Sequence, residues 1–233
     1  MSGLCVIYIL IPLLTVAQAT NFISRKLTAK PEVDNTKSNS KLLGQYNTYT
    51  LIECAMKCQK DCGHLFGYNP LLLKCRIHQT IFTSGISNED EWTYYVLPFD
   101  CKNILDIGYN NSGVFDIYPS CSSPGATSAY CDMQTMDGGW TAIQKRLDGA
   151  VSFKRTWAEY RTGFGVPEAD VWIGNDVIHQ LTNGRPSYLY IWITLDDGRN
   201  LYELYDQFSV SSEAEKYKLF LSGLATGTLG NEI

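Results

Sequence analysis

Six side chains between Cys54 and His78 have the types for thiol or metal chemistry: Cys54, Cys58, Cys62 and Cys75, with His64 and His78. They supply enough ligands for a zinc ion, but no Cys-x2-Cys knuckle is present. The rival chemistry is oxidation to disulfides, for which four cysteines allow three connectivities. Cys101, Cys121 and Cys131 add three thiols further along. Asn110-Asn111-Ser112 is the one N-x-[ST] sequon, set in a polar turn before a strand, so Asn110 is a candidate glycosylation site. His179 sits beside Ile178 on a short helical pattern and reads as structural. No G-x-S-x-G or other nucleophile motif accompanies it. Asp196-Asp197-Gly198 fails the spacing of a calcium loop and reads as a hairpin turn. We therefore expect no catalytic and no metal-binding residues, and a protein that is not an enzyme.

The compartment decides between zinc and disulfides. An apolar run from Cys5 to Ala17 ends in Ala17-Gln18-Ala19, an A-x-A cleavage pattern. This predicts a secretory signal peptide over residues 1–19 and a secreted, extracellular product. The run is shorter than the ~20 residues of a membrane span, and no other span-length apolar segment exists. Loss of Cys5 leaves seven cysteines for an oxidising environment. Seven is odd, so one thiol stays free or pairs with another chain. A net charge of −5 argues against nucleic acid as partner.

These groups must be held by folded segments. Residues 20–41 are polar, lack periodicity and carry five basic residues against Glu32 and Asp34. They read as a linker, with a polyanion-binding arm as the rival reading. In residues 42–98, Thr50-Leu51-Ile52-Glu53 is a capping box. Leu51, Cys54, Ala55 and Cys58 then share one helix face. Strands are expected at 65–68, 71–77 and 92–97, with Asn69-Pro70 as a turn. So small a module has a thin core and needs covalent staples. From Phe99 onward, strands are expected at 112–117, 129–133, 140–147, 188–195, 201–205 and 217–221. Asp148-Gly149 should turn a hairpin into Val151-Ser152-Phe153. Trp157, Tyr160 and Phe164 have helical spacing ending near Gly163 or Gly165, and Asn175 should cap a second short helix. The expected class is α+β: a small helix-on-sheet module, then a mostly antiparallel domain.

Two resemblances sharpen this. Glu53-Cys54-Ala55-Met56-Lys57-Cys58, Cys62, Phe66-Gly67-Tyr68-Asn69, Lys74-Cys75-Arg76-Ile77-His78 and Trp92-Thr93-Tyr94-Tyr95 resemble the shorter form of an apple/PAN domain over residues 42–98. That resemblance implies a helix stapled to a sheet, with Cys54 paired to Cys75 and Cys58 to Cys62. Residues 99–233 resemble the fibrinogen C-terminal domain of fibrinogen chains, ficolins, tenascins, angiopoietins and invertebrate lectins. The carrying residues are Cys101, Ser112-Gly113, Tyr130-Cys131-Asp132-Met133, Asp137-Gly138-Gly139-Trp140-Thr141, Gln144-Lys145-Arg146, Asp148-Gly149, Phe153, Trp157, Tyr160, Gly163-Phe164-Gly165 and Trp172-Ile173-Gly174-Asn175. Ile178-His179, Leu181-Thr182, Tyr217 and Leu219 continue the match. It implies a Cys101–Cys131 disulfide.

Gly223-Leu224-Ala225 to Ile233 looks like a turn after which the family's domain continues. The resemblance places the family's calcium site, second disulfide and sugar pocket beyond it, so no cofactor is expected here. Such a domain is expected to be incomplete, with an open sheet edge and low stability. Cys121 has no family counterpart and is expected as an interchain disulfide in a dimer, with a capped or free thiol, or a rearranged intrachain pair, as the alternatives. The function implied is secreted recognition of glycans or extracellular proteins, lectin-like, in innate immunity or cell adhesion. A matrix or oligomerisation protein is the alternative.

Overall fold

The computed structural model describes residues 42–79, 92–120 and 126–230, together with the backbone of 4–8. The linker 20–41 and Cys121 lie outside the described residues.

The first unit is a four-stranded antiparallel sheet with one helix. Its strands are β2 (Leu42–Asn47), β3 (Leu65–Asn69), β4 (Lys74–His78) and β5 (Thr93–Val96), ordered β2-β4-β3-β5. Helix α1 (Leu51–Lys60) starts on Thr50, whose hydroxyl accepts from the Glu53 N–H at 3.1 Å while the Glu53 carboxylate accepts from the Thr50 N–H. The inward face is the one the spacing predicts, with Cys54 and Cys58 fully buried against Phe66, Cys75 and Ile77. A disulfide joins Cys54 to Cys75, pinning α1 to β4. Residues 71–73, expected as strand, instead form a turn held by Asn69 Oδ1, which accepts from the Leu71 and Leu72 N–H groups. The β2 strand had no strong sequence signal.

The second unit begins with α2 (Cys101–Asp106) and the hairpin β6 (Gly113–Ile117) and β7 (Thr127–Asp132). There follow β8 (Trp140–Lys145), α3 (Trp157–Thr162), β9 (Phe164–Gly165), β10 (Val171–Trp172), α4 (Asn175–Thr182), β11 (Leu189–Thr194), β12 (Asn200–Val210) and β13 (Leu219–Gly227). The sheet runs β13-β12-β11-β1-β8-β10-β9, with β7 against β8 and β6 against β7. The strand β1 is Leu4–Tyr8, from the stretch read as a leader. Its backbone pairs antiparallel with both β11 and β8. A disulfide joins Cys101 to Cys131, tying α2 to β7.

Asp148-Gly149 does not open a hairpin into a strand. The turn wraps instead around Asp170, fully buried, whose carboxylate accepts from the backbone N–H groups of Leu147 (2.6 Å), Asp148 (3.4 Å) and Val151 (3.2 Å). Burial alone would raise this carboxyl's pKa. The three N–H donors and nearby Arg146 outweigh it and hold the group below its ordinary value. Next to it, buried Lys145 donates to the carbonyls of Pro167 and Glu168 and lies over the Tyr130 ring at 3.7 Å; burial lowers its pKa. Gly165 approaches the same loop with φ +84, and a Cβ there would sit 2.1 Å from the Asp170 carbonyl oxygen. Helix α3 has its own capping box on Thr156 and Glu159 and ends at Gly163. Gly174, with φ +109, takes the capping position expected of Asn175, which is the first helical residue of α4.

The outer strand β13 lies beside β12 and has no second neighbour among the described residues. Leu219, Phe220 and Leu224 on it are 53%, 48% and 74% exposed. That is a long, apolar sheet edge, the kind that invites further strand pairing.

Candidate binding surface

The two units meet along the segment Leu97–Asp100. The Leu97 N–H donates to the His64 carbonyl (2.8 Å), and the His64 ring nitrogen Nδ1 bonds the Leu97 carbonyl at 3.3 Å. Asp100 caps α2 by accepting from the Asn103 N–H at 2.7 Å, and Asn103 Oδ1 accepts in return from the Phe99 N–H at 2.9 Å. These reciprocal bonds fix the buried Phe99 ring at the junction. His64 meets its edge at 5.5 Å between ring centres. The Arg185 guanidinium lies over its face at 3.6 Å, an arrangement that stacking and cation–π attraction favour. Burial, and then the Arg185 charge, hold the His64 pKa below its ordinary value. Burial pushes the Asp100 carboxyl up to about 7, against the pull of the Asn103 N–H and Arg185.

Arg185 separates two clefts. One, about 750 Å³, runs along the junction between Gln59, His64 and Gln79 on one side and Asn103, Asp106 and Tyr118 on the other. The second, about 570 Å³, lies within the second unit and is lined by Asp100, Lys102, Asp137, Trp140, Pro186 and Tyr188. Its floor is rigid. Asp132 accepts from Gln134 and Thr135, and the Trp140 indole N–H donates to the Thr135 carbonyl at 3.0 Å. Gly138 takes φ +69, where a Cβ would meet the Met133 carbonyl oxygen at 2.3 Å, so only glycine closes this turn. Tyr188 is 55% exposed at the rim.

Aromatic faces flanked by both charge signs suit recognition of polar groups and contain no nucleophile paired with a base. His179 bonds the Val210 carbonyl at 2.8 Å, a structural contact. Asp197 accepts from the backbone and side chain of Arg199 within its turn. Among the sequence candidates, Asn110 is exposed in the turn before β6. Cys58, expected to pair with Cys62, is a free thiol. Its Sγ faces the core and fills the space that a Cβ on Gly63 would occupy, 2.7 Å away. Burial raises its pKa far above that of an ordinary thiol. Cys62 is itself disulfide-bonded. With Cys54 and Cys75 bonded to each other, the set cannot act as four thiolate ligands for zinc. Phe99, Arg185 and Tyr188 had no motif to mark them, because they converge only in the folded protein.

Comparison with known proteins bears on the second unit. Residues 97–233 match the family of the C-terminal globular domain of the fibrinogen beta and gamma chains. The protein is 42% identical over 132 residues to angiopoietin-2 of Canis lupus familiaris, covering 56% of this chain and 26% of that protein. It is 39% identical over 136 residues to angiopoietin-1 of Homo sapiens, covering 58% and 27%. It thus spans about a quarter of the length of these curated relatives. Among solved structures, it is similar to the fibrinogen-like globe domain of human ANGPTL6, with TM-score 0.54, 35% identity and coverage of 57% and 58% of the two proteins. It is also similar to a lamprey fibrin D-dimer complexed with the peptide Gly-His-Arg-Pro-amide, with TM-score 0.52, 34% identity and coverage of 56% and 41%.

Proposed function

This protein belongs to the family of the C-terminal globular domain of the fibrinogen beta and gamma chains, and on that footing we propose that it is a secreted, non-enzymatic recognition protein whose ligand is an extracellular protein. One observation carries the reading: a relative of this fold, the lamprey fibrin D-dimer, is solved with a peptide ligand. Similarity to the angiopoietins supports an extracellular setting, as do the Cys54–Cys75 and Cys101–Cys131 disulfides. Among the described residues no helix is long and apolar enough to cross a membrane. The surface we assign is the pair of clefts on either side of Arg185. Charged groups there fix orientation, and Trp140 and Tyr188 supply contact area. The small unit, whose sequence motifs resemble an apple/PAN domain, supplies one wall of the junction cleft and extends the surface.

A second reading, glycan binding, is favoured by exposed Tyr188 beside the carboxylates of Asp100 and Asp137. The test is surface plasmon resonance of the full secreted protein against a panel of extracellular receptor domains, beside a glycan array. Saturable binding to a protein, weakened at least tenfold by Arg185→Ala or Tyr188→Ala, is the expected result. Binding to glycans alone would replace this reading with the second. Self-association with neither would point to a matrix or oligomerisation role.

A further inference from the structure

The β3–β4 hairpin carries three consecutive leucines at its tip. Leu71, Leu72 and Leu73 are 73%, 57% and 39% exposed. Asn69 and Lys74 form the last pair of the two strands, so Pro70 and the three leucines make up the whole connection. A run of exposed apolar residues lowers solubility and calls for a functional reason. This tip is held in shape from below. Asn69 is buried, and its side-chain oxygen accepts from the Leu71 and Leu72 N–H groups at 3.0 and 2.9 Å. Leu73 takes φ 51, left-handed backbone that a bulky residue rarely adopts and that glycine or asparagine enters with less strain. A leucine kept in that conformation argues that its side chain is used.

The neighbouring backbone extends the apolar surface. The Thr48 N–H donates to the Leu73 carbonyl at 3.0 Å, and the Tyr68 hydroxyl donates to the Tyr49 carbonyl at 3.0 Å. These bonds fix Tyr49, 77% exposed, beside the tip. From there α1 leads away with Ile52, Met56 and Lys60 on successive turns of one stripe, all exposed.

We infer that the Leu71–Leu73 tip is a membrane-docking site that seats the small unit on a lipid surface bearing anionic headgroups. Shape and charge choose lipid over a protein pocket or a second copy of the chain. Three successive side chains around a tight turn cannot share one face, so a single pocket does not receive them all, whereas fluid acyl chains close around each. Residues 42–79 carry Lys57, Lys60, Lys74 and Arg76 against Glu53 and Asp61, a positive unit in a protein of net charge −5. Glu53 is engaged in the α1 cap, and Asp61 pairs with Lys57. Lys60 ends the exposed stripe and Lys74 stands at the root of the tip, both placed to meet lipid phosphates. The leucines enter the acyl boundary, and Tyr49 sits at headgroup level, which suits its apolar ring and polar hydroxyl. The placement leaves the clefts beside Arg185 accessible. Leu65, at the other end of β3, pairs with His78 and adjoins the junction through His64 and Leu97. The tip begins roughly 14 Å from it along the strand.

This inference is independent of the proposed ligand. The test is co-sedimentation of the full secreted protein with vesicles of phosphatidylcholine alone and of phosphatidylcholine mixed equally with phosphatidylserine, beside sedimentation velocity without lipid. The expected result is binding to the mixed vesicles, weakened at least tenfold by Leu71→Ser/Leu72→Ser and retained by Leu71→Phe/Leu72→Phe. Lys60→Glu/Lys74→Glu should reduce binding to the level seen with phosphatidylcholine alone. These side chains are exposed, so the urea midpoints of the variants should match that of the native protein. No binding to either vesicle, or binding that survives the serine substitutions, would overturn the docking site. Binding lost in Arg185→Ala instead would place the lipid at the clefts and overturn it as well. So would a dimer, in protein that binds no vesicle, that the serine substitutions dissociate.

Discussion

Replacing Asp170 with asparagine removes one charge and one acceptor at the point around which the 147–151 turn wraps. In the native protein one carboxylate oxygen accepts from Leu147 and Asp148 and the other from Val151. Asparagine keeps the first oxygen and turns the second into an NH2 group facing the Val151 N–H. One charge-assisted bond is lost, worth about 1.5–3 kcal/mol, the others weaken, and a buried donor is left without an acceptor. The expected loss is about 2–4 kcal/mol. With a urea slope of roughly 2 kcal/mol per M, the unfolding midpoint should fall by about 1–2 M, followed by tryptophan fluorescence. The pH dependence gives an independent check. The folded pKa of Asp170 is depressed. Its stabilisation is therefore present above the unfolded value of about 3.9 and is lost as pH falls through the lower folded value. Asp170→Asn should remove that part of the acid limb. A midpoint within ~0.3 M of the native protein, or an unchanged acid limb, would refute the assignment of Asp170 as the organiser of this loop.

Other outcomes follow from the same geometry. Removing the Cys54–Cys75 bond by double serine substitution opens a loop of sequence separation 21 and should cost the small unit about 3 kcal/mol. Amide exchange across 42–79 should speed up, while that of 140–210 stays unchanged. Gly165→Ala forces a side chain into left-handed backbone against the Asp170 carbonyl and should cost roughly 1–3 kcal/mol or more, read as a lower urea midpoint. Asp100 has a folded pKa raised to about 7, so its contribution to stability falls as pH rises from about 4 to 7 and then levels. Asp100→Asn, which keeps a good capping residue, should flatten that decline in midpoint against pH. Leu224→Lys on the exposed β13 edge should reduce concentration-dependent self-association in light scattering without lowering the midpoint.

What could be read from the sequence was whatever depends on near neighbours. Thr50 and Glu53 announce the start of α1 because both halves of a capping box lie three residues apart. Leu51, Cys54, Ala55 and Cys58 reveal its inner face because helix periodicity is local. The alternation of aromatic residues or Thr with aliphatics over 188–195 reveals a strand for the same reason. The rest depends on partners distant in sequence. Asp148-Gly149 has the residues of a hairpin, yet a carboxylate from position 170 takes its backbone donors and the return strand does not form. Cys58 and Cys62 lie one helical turn apart, but Cys58 is buried in the core while Cys62, in left-handed backbone just past α1, is exposed. An apolar leader and an apolar strand have the same composition, so residues 4–8 carried no sign that they pair with β8 and β11. The clefts beside Arg185 were invisible because His64, Phe99 and Arg185 belong to three separate segments.

The buried Cys58 thiol has a consequence for how long the disulfide pattern lasts. Exchange between disulfides requires a thiolate, and burial in the core around Phe66 and Ile77 holds the Cys58 thiol in its protonated form. The protein thus carries an odd cysteine that is chemically silent while it stays folded. Partial unfolding of the small unit would release it within a few residues of existing bonds. The integrity of that unit's core therefore protects the Cys54–Cys75 bond beside it.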